Sequence, residues 1–265
     1  LDGPRALAGE APADRCELRA RLHAPSRRPY KLRSYTWGES ASQDGQDAWV
    51  DSALNGSEGL FAVESGAFDG EFLSNTLMLE TRRHWRCLLV EANPYLAEPL
   101  FARRRKCHVL LAGLSISGAV DSFRFRPRQV FGGFEETLAQ EDEEEWHSTW
   151  NPIKGSLVQR WLVGIMLWLL LPHALDLPVD VMAFPMHAVL RALGRNVVDY
   201  WSLDTEGSEL RILESTDFEG LEFGIISVEA RNDSAKMSAL AEFLGRHGIE
   251  LVGMLGRDAL FASRD

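Results

Sequence analysis

Short apolar runs that close on an acidic side chain recur along this sequence. "GLFAVES" closes at Glu64, "CLLVEANP" at Glu91, Val197 to Leu203 at Asp204, and "FGIISVE" at Glu229. A strand that is apolar at successive positions has no face to offer water, so it needs cover on both sides. Helical patterns lie between the runs. "GEFLSNTLMLETRRHW" places Phe72, Leu73, Leu77 and Leu79 at helical spacing, and "PYLAEPLFARRR" puts Pro94 near a first helical position. "HVLLAGLS" reads as another buried strand. Helices are predicted over Met186 to Leu193 before Gly194, about Ser208 to Ser215, and about Ser234 to His247 before Gly248. Strand alternating with helix predicts an α/β fold with a mostly parallel sheet. "IELVGML" and "ALFAS" are separated only by Gly256-Arg257-Asp258. A parallel crossover needs a dozen or more residues, so these two strands are predicted antiparallel.

The 265 residues, 45% of them hydrophobic, suffice for one large domain with a full core. A net charge of -11 argues against a general nucleic-acid binder, which needs a basic footprint. Residues 1–48 lack periodicity and read as an N-terminal extension, partly irregular, with a basic stretch from Arg15 to Arg33. Two readings stand for it: a solvated extension, or an arm that contacts an acidic partner or membrane surface. Residues 49–265 form the second unit, interrupted at about 132–179 by an insertion that is first acidic and then aromatic. Within it, Trp161 to Leu171 is too short to span a bilayer as a helix, which needs about 20 apolar residues. It reads as a buried or lid helix, or as a surface for a membrane or protein partner.

Cys16, Cys87 and Cys107 are too few for a disulfide scaffold, and no bridge is assigned, because the strands after Cys87 and Cys107 need not be neighbours. Asn55-Gly56-Ser57 and Asn232-Asp233-Ser234 permit glycosylation in a secretory lumen. The sequence begins at Leu1 rather than Met, which reads as a processed chain. The compartment therefore stays open between the cytoplasmic and the lumenal side of a membrane system.

In an open α/β sheet, ligands gather at the carboxyl ends of the strands, near the switch in strand order. After the first run, "VESGAFDGEF" carries Glu64, Gly66 and Asp69-Gly70 but no third glycine, so it is not a dinucleotide fingerprint. An acidic strand end suits a cationic ligand group such as an amino acid. Glu91, a little over 20 residues further on, is placed to accept the hydroxyls of a ribose. A cationic amino-acid end plus a ribose describes S-adenosylmethionine. Asp204 or Glu206 is placed to act as general base, or else these residues only shape the loop. Glu209 is placed where its charge favours a helix N-terminus. A metal among Asp204, Glu229 and their neighbours is chemically possible, but no ligand spacing demands one and none is assigned.

"VESGAFDGEFLSNTL", "LLVEANP", "GLSISGAVDSFRF" and "VDYWSLDTEGSELRIL" together resemble the FkbM-type methyltransferases, especially their Star-like animal branch. The resemblance implies an S-adenosylmethionine-dependent O-methyltransferase on the class I Rossmann-like fold, with seven strands, the last antiparallel, and a hydroxyl or carboxyl acceptor. It implies a cofactor site made by Glu64, Gly66, Ala67, Phe68 and Asp69 near the methionine part, Glu91, Ala92 and Asn93 at the ribose, and Leu114 and Ser115 by the adenine. Asp204 and Glu206 would stand beside the methyl group. The Star-like branch also implies an alternative: a catalytically degenerate domain acting as an interaction or membrane-trafficking module.

Overall fold

The computed structural model describes residues 11–127, 132–138, 177–231 and 233–264. In chain order the strands are β1 (Leu22–His23), β2 (Phe61–Ser65), β3 (Arg86–Val90), β4 (His108–Leu110), β5 (Gly113–Leu114) and β6 (Asp121–Arg126). They continue as β7 (Gly133–Phe134), β8 (Val179–Phe184), β9 (Val197–Leu203), β10 (Glu222–Glu229), β11 (Ile249–Leu255) and β12 (Asp258–Ser263). The helices are α1 (Pro12–Arg21), α2 (Gln46–Ala53), α3 (Leu77–Arg83), α4 (Ala97–Ala102), α5 (Met186–Ala192), α6 (Glu209–Ser215) and α7 (Ser234–Arg246).

The main sheet has the order β1-β4-β3-β2-β9-β10-β12-β11. Strands β4, β3, β2, β9 and β10 are parallel. The chain runs outward from β2 to β4 and later resumes at β9 on the other side of β2. Strand order therefore reverses between β2 and β9, which opens a crevice at their carboxyl ends. The terminal hairpin is antiparallel, with β12 inserted between β10 and β11.

Consecutive strand residues serve opposite faces, as the strand's two-residue period requires. Val63, Leu88, Trp201, Leu203 and Ile226 enter one core, whereas Ala62, Cys87, Leu89, Tyr200 and Ile225 enter the other. Trp201 is fully buried, stacks on Phe223, and donates its indole N–H to Ser65 Oγ at 2.9 Å. That bond ties β9 to β2 next to the crevice.

Several features depart from the sequence pattern. The sheet is mixed and has eight strands rather than seven. The added one is the two-residue β1, antiparallel to β4 and too short to carry a period. The predicted helix over "GEFLSNTLMLETRRHW" begins only at Leu77. Its first half is held out of helical form because Glu64 accepts from Ser74 Oγ (2.9 Å), the Asn75 N–H (2.8 Å) and Thr76 Oγ1. "HVLLAGLS" is two strands, not one. β5 leaves the main sheet for a second sheet of order β5-β8-β6-β7, and Gly113 accommodates the Phe134 ring where a Cβ would collide. The described ends of the insertion, 132–138 and 177–179, contribute β7 and the start of β8. The acidic run and Trp161 to Leu171 lie outside the described residues. Among the described residues, no helix is long and apolar enough to cross a membrane.

Cys87 and Cys107 form a disulfide, contrary to expectation. β3 and β4 are neighbours with Leu88 opposite His108, which brings the two preceding residues together. The end of the basic stretch is tied to the loop after β2. The N–H groups of Arg33, Ser34 and Tyr35 donate to the Glu71 carboxylate at 2.7 to 2.9 Å, and the buried Arg103 guanidinium pairs with the same carboxylate.

Candidate active site

A cavity of about 380 Å³ opens at the carboxyl ends of β2, β3, β9 and β10. That is within the size range of small-molecule sites. Of the residues singled out from the sequence, Glu64, Gly66, Phe68, Glu91, Ala92, Leu114, Asp204 and Glu206 lie on its wall. Ala67, Asp69, Asn93 and Ser115 do not. Ala67 is buried in the core. Asp69 accepts the N–H groups of Glu71 and Phe72 and pairs with Arg103. Asn93 accepts the Tyr95 N–H at the start of a short 3-10 turn, and Ser115 meets Ser117. These four therefore shape the loops behind the wall.

The β2 loop is a backbone construction. Gly66 has φ +86°, and a Cβ there would collide with the Asp204 carbonyl oxygen. This close crossing of the β2 and β9 loops is why the position needs glycine. Glu91 is buried and accepts the N–H groups of Phe68 and Asn93, each at 2.7 Å. Burial pushes its carboxyl up to about 7 against these bonds. Glu64 is buried as well, and burial raises its pKa too, although three donors of the loop after β2 satisfy it. Phe68 and Phe72 flank the cavity with ring centroids 6.1 Å apart, and Phe72 is exposed.

The opposite wall is acidic. Asp204, Glu206 and Glu229 offer oxygens within 4.8 Å of one another. Arg231 donates to Glu229 Oε1 at 2.8 Å and pairs with Glu206. Glu209 has a different task. Fully buried at the start of α6, it accepts the N–H groups of Thr205 (2.8 Å) and Gly207 (3.2 Å) and binds Lys236 Nζ at 2.8 Å. It thereby fixes the loop that presents Asp204.

Among the described residues, Asn75 Oδ1, Asp204 Oδ1 and Glu229 Oε2 are buried acceptor atoms of the wall that receive no donor, and the Asp204 and Glu229 carboxyls face each other. A buried polar atom without a partner costs roughly 1–3 kcal/mol, so such atoms point to a ligand or a proton. Burial, then the charges of Asp258 and Glu209, raises Asp204 to about 7. Burial, then the Asp204 charge, raises Glu229 to about 10. The two carboxyls thus behave as a pair that keeps one proton between those values. The same oxygens with Glu206 form a donor set chemically able to hold a hard divalent cation. Arg231 already supplies positive charge between Glu206 and Glu229. The second acidic group, Glu80 with Cys87 and Cys107, has its sulfurs committed to the disulfide.

Sequence reasoning missed Asn75, Arg231, Asp258 and the contribution of Gln43, Asp44 and Gln46 to the wall. Asp258 was visible only as part of a polar turn. Its placement follows from the β10–β12 register, which sets it opposite Glu229.

Solved structures with a similar course include a protein assigned as an RNA methyltransferase from Pyrococcus horikoshii. It has 11% identity, covers 95% of this chain and 94% of its own, and gives a TM-score of 0.39. Another is the precorrin-6y C5,15-methyltransferase from Geobacter metallireducens GS-15, with 13% identity, 88% and 91% coverage, and a TM-score of 0.37. No curated protein matches. The model of the methyltransferase FkbM domain matches residues 64–251, from the first strand-end carboxylate to the terminal hairpin. That span is most of the chain and contains every strand-end acid described above, and the chain belongs to the FkbM methyltransferase domain family.

Proposed function

We propose that this chain is an S-adenosylmethionine-dependent methyltransferase of the class I Rossmann-like type, which methylates an oxygen of a hydroxyl or carboxyl acceptor. The observation that carries this reading is the set of buried acceptors, Asn75 Oδ1 and the proton-sharing Asp204–Glu229 carboxyl pair, around one cavity at the strand-order switch. Such a set suits a ligand with a cationic amino end and a positively charged sulfur, and the cavity lacks the three-glycine cradle a pyrophosphate needs. When bound, S-adenosylmethionine supplies an electrophilic methyl group.

The residues fit the cofactor in parts. Asn75, beside Glu64, would take the amino-acid end. Glu91, held rigid by the Phe68 and Asn93 N–H groups, would accept from the ribose, with Ala92 beside it. Leu114 offers apolar surface to the adenine. Gly66 and Phe68 would line the methionine portion.

Where the acceptor is a hydroxyl, Asp204 takes the proton that its oxygen sheds as the new bond to carbon forms, whereas a carboxyl acceptor is already ionised and needs no base. The Asp204–Glu229 pair holds one proton above about pH 7 and has room for a second. A proton acceptor with an apparent pKa near neutrality is well matched to general-base work. Glu206, paired to Arg231, positions Glu229 through the guanidinium they share.

Calorimetric titration with S-adenosylmethionine and S-adenosylhomocysteine tests the reading directly. Saturable binding that Glu91→Ala weakens is expected. Absence of binding by the unmodified chain would remove the cofactor from the cavity and favour a non-catalytic interaction domain.

A further inference from the structure

Two features far from the cavity speak to where the chain matures. The first is the triplet Asn55-Gly56-Ser57, an N-glycosylation acceptor pattern. Asn55 is exposed and follows the C-terminal end of α2 with φ +51°. The Gly56 N–H bonds to the Asp51 carbonyl oxygen at 2.8 Å, so the triplet forms the tight exit from the helix, and the Ser57 hydroxyl donates to the Leu54 carbonyl oxygen at 2.6 Å. Ser57, in the third place of the pattern, is exposed too.

The turn lies before the amino end of β2, whereas the cavity is built at that strand's carboxyl end. Five residues of strand separate the two ends by about 15 Å. A bulky sugar at Asn55 therefore leaves the cavity mouth clear. The second triplet begins one residue after Arg231, which lines the cavity, and is not included here.

The second feature is the Cys87–Cys107 disulfide, with both cysteines almost wholly buried. Disulfides form and persist in oxidising compartments and are rare where glutathione keeps thiols reduced. In eukaryotic cells the lumen that oxidises cysteines is also the one in which asparagine acceptors are glycosylated. A surface turn that permits glycosylation and a buried covalent bond that an oxidising compartment preserves, with no shared residue, thus agree on the same surroundings.

We infer that Asn55 carries an N-linked glycan and that the chain matures in an oxidising secretory lumen. This does not rest on the methyltransferase reading.

The test uses the full chain isolated from its own cells after rapid thiol blocking. One portion is treated with the amidase that releases N-glycans, in heavy-oxygen water, and digested. Recovery of Asn55 as heavy-labelled aspartate in the amidase-treated portion but not in a portion held in the same water without the amidase, and of a Cys87–Cys107 linked peptide from an unreduced digest, is the expected result. Full recovery of an unmodified Asn55 peptide overturns the site whatever the state of the cysteines. Blocking reagent on both Cys87 and Cys107 overturns the compartment. Re-expression of Asn55→Gln and, separately, Ser57→Ala should abolish the amidase-sensitive gel shift completely. Ser57→Ala keeps the helix-exit asparagine, so a shift lost in it reports the acceptor pattern rather than a misfolded turn. A shift of unchanged size in both variants assigns the glycan elsewhere and also overturns the site, whereas a reduced shift that Asn232→Gln then removes leaves Asn55 in place.

Discussion

Asp204 and Glu229 hold their protons more tightly in the folded protein than in the unfolded chain, because burial penalises their charged forms. The folded state then binds more protons wherever the unfolded carboxyls have already ionised. The contribution of these groups to stability is therefore greatest at low pH. It declines as pH rises from the ordinary carboxylate range, near 4, through about 7 for Asp204 and about 10 for Glu229. At pH 8 the site carries charge that the fold would be more stable without. Asp204→Asn should thus stabilise the protein by about 1–3 kcal/mol at pH 8 and by little at pH 5, read from thermal melts at both. The same substitution removes the proton acceptor. Methyl transfer to a hydroxyl acceptor should fall about 100-fold or more with cofactor affinity nearly unchanged. Activity lost together with affinity would instead mean that Asp204 only shapes the loop. Burial raises Glu91 in the same direction, to about 7, but its oxygens are held by the Phe68 and Asn93 N–H groups. Glu91→Ala should weaken cofactor binding by about 2 kcal/mol, roughly thirtyfold. Calorimetry that finds affinity untouched would take Glu91 off the ribose.

Four of the five parallel strands were legible because each is an apolar run long enough to need cover on both faces and ends on a charge that a buried strand cannot continue through, whereas the three-residue β4 has no such end. The same logic located Glu64, Glu91, Asp204 and Glu229, all of them on the cavity wall. It did not separate a helix from a loop over residues 71–76, where the apolar spacing of Phe72 and Leu73 is helical. There Leu73 has φ +55°, and the buried Glu64 draws the following residues into its own hydrogen bonds. A carboxylate ten residues upstream overrides local periodicity, and no window of sequence contains that competition. The Cys87–Cys107 bridge was hidden for a similar reason. It depends on β3 and β4 being adjacent and in register, a fact of sheet order. The bond closes a loop with a separation of 20 residues, which should stabilise by about 3 kcal/mol on the chain-entropy account. Cys107→Ser should lower the denaturant midpoint accordingly. An unchanged midpoint in the unreduced protein would mean that the strand pair stands without the bridge.

Across the whole molecule, the cavity joins parts that lie far apart in the sequence. Gln46, at the start of α2, donates its amide to Asp258, at the start of β12, at 3.0 Å, and both residues line the cavity. Asp258 faces Glu229 across the β10–β12 ladder. Burial raises the Asp258 pKa, and its charge is in turn one of the causes that raise Asp204. The segment before the first family-matched residue and the terminal hairpin therefore reach the reacting end of the site through one carboxyl group. Neither was predictable from local pattern, because Gln46 and Asp258 are separated by 212 positions. Asp258→Asn tests the coupling without touching the proposed base. With that negative charge removed, Asp204 ionises more readily, so the rising limb of the activity–pH profile should move to lower pH than the midpoint of about 7 expected for the unmodified protein. Gln46→Ala weakens the same charge indirectly. It strips the buried Asp258 carboxyl of its amide donor, which should cost roughly 1–3 kcal/mol of stability. Without that donor the Asp258 carboxyl ionises less readily, which weakens the charge near Asp204, so the profile should also move to lower pH, by less than in Asp258→Asn. Profiles for both variants that overlay the unmodified one would show that the Asp258 charge does not reach Asp204. The near-neutral proton affinity of the Asp204–Glu229 pair would then be set by burial and by Glu209 alone.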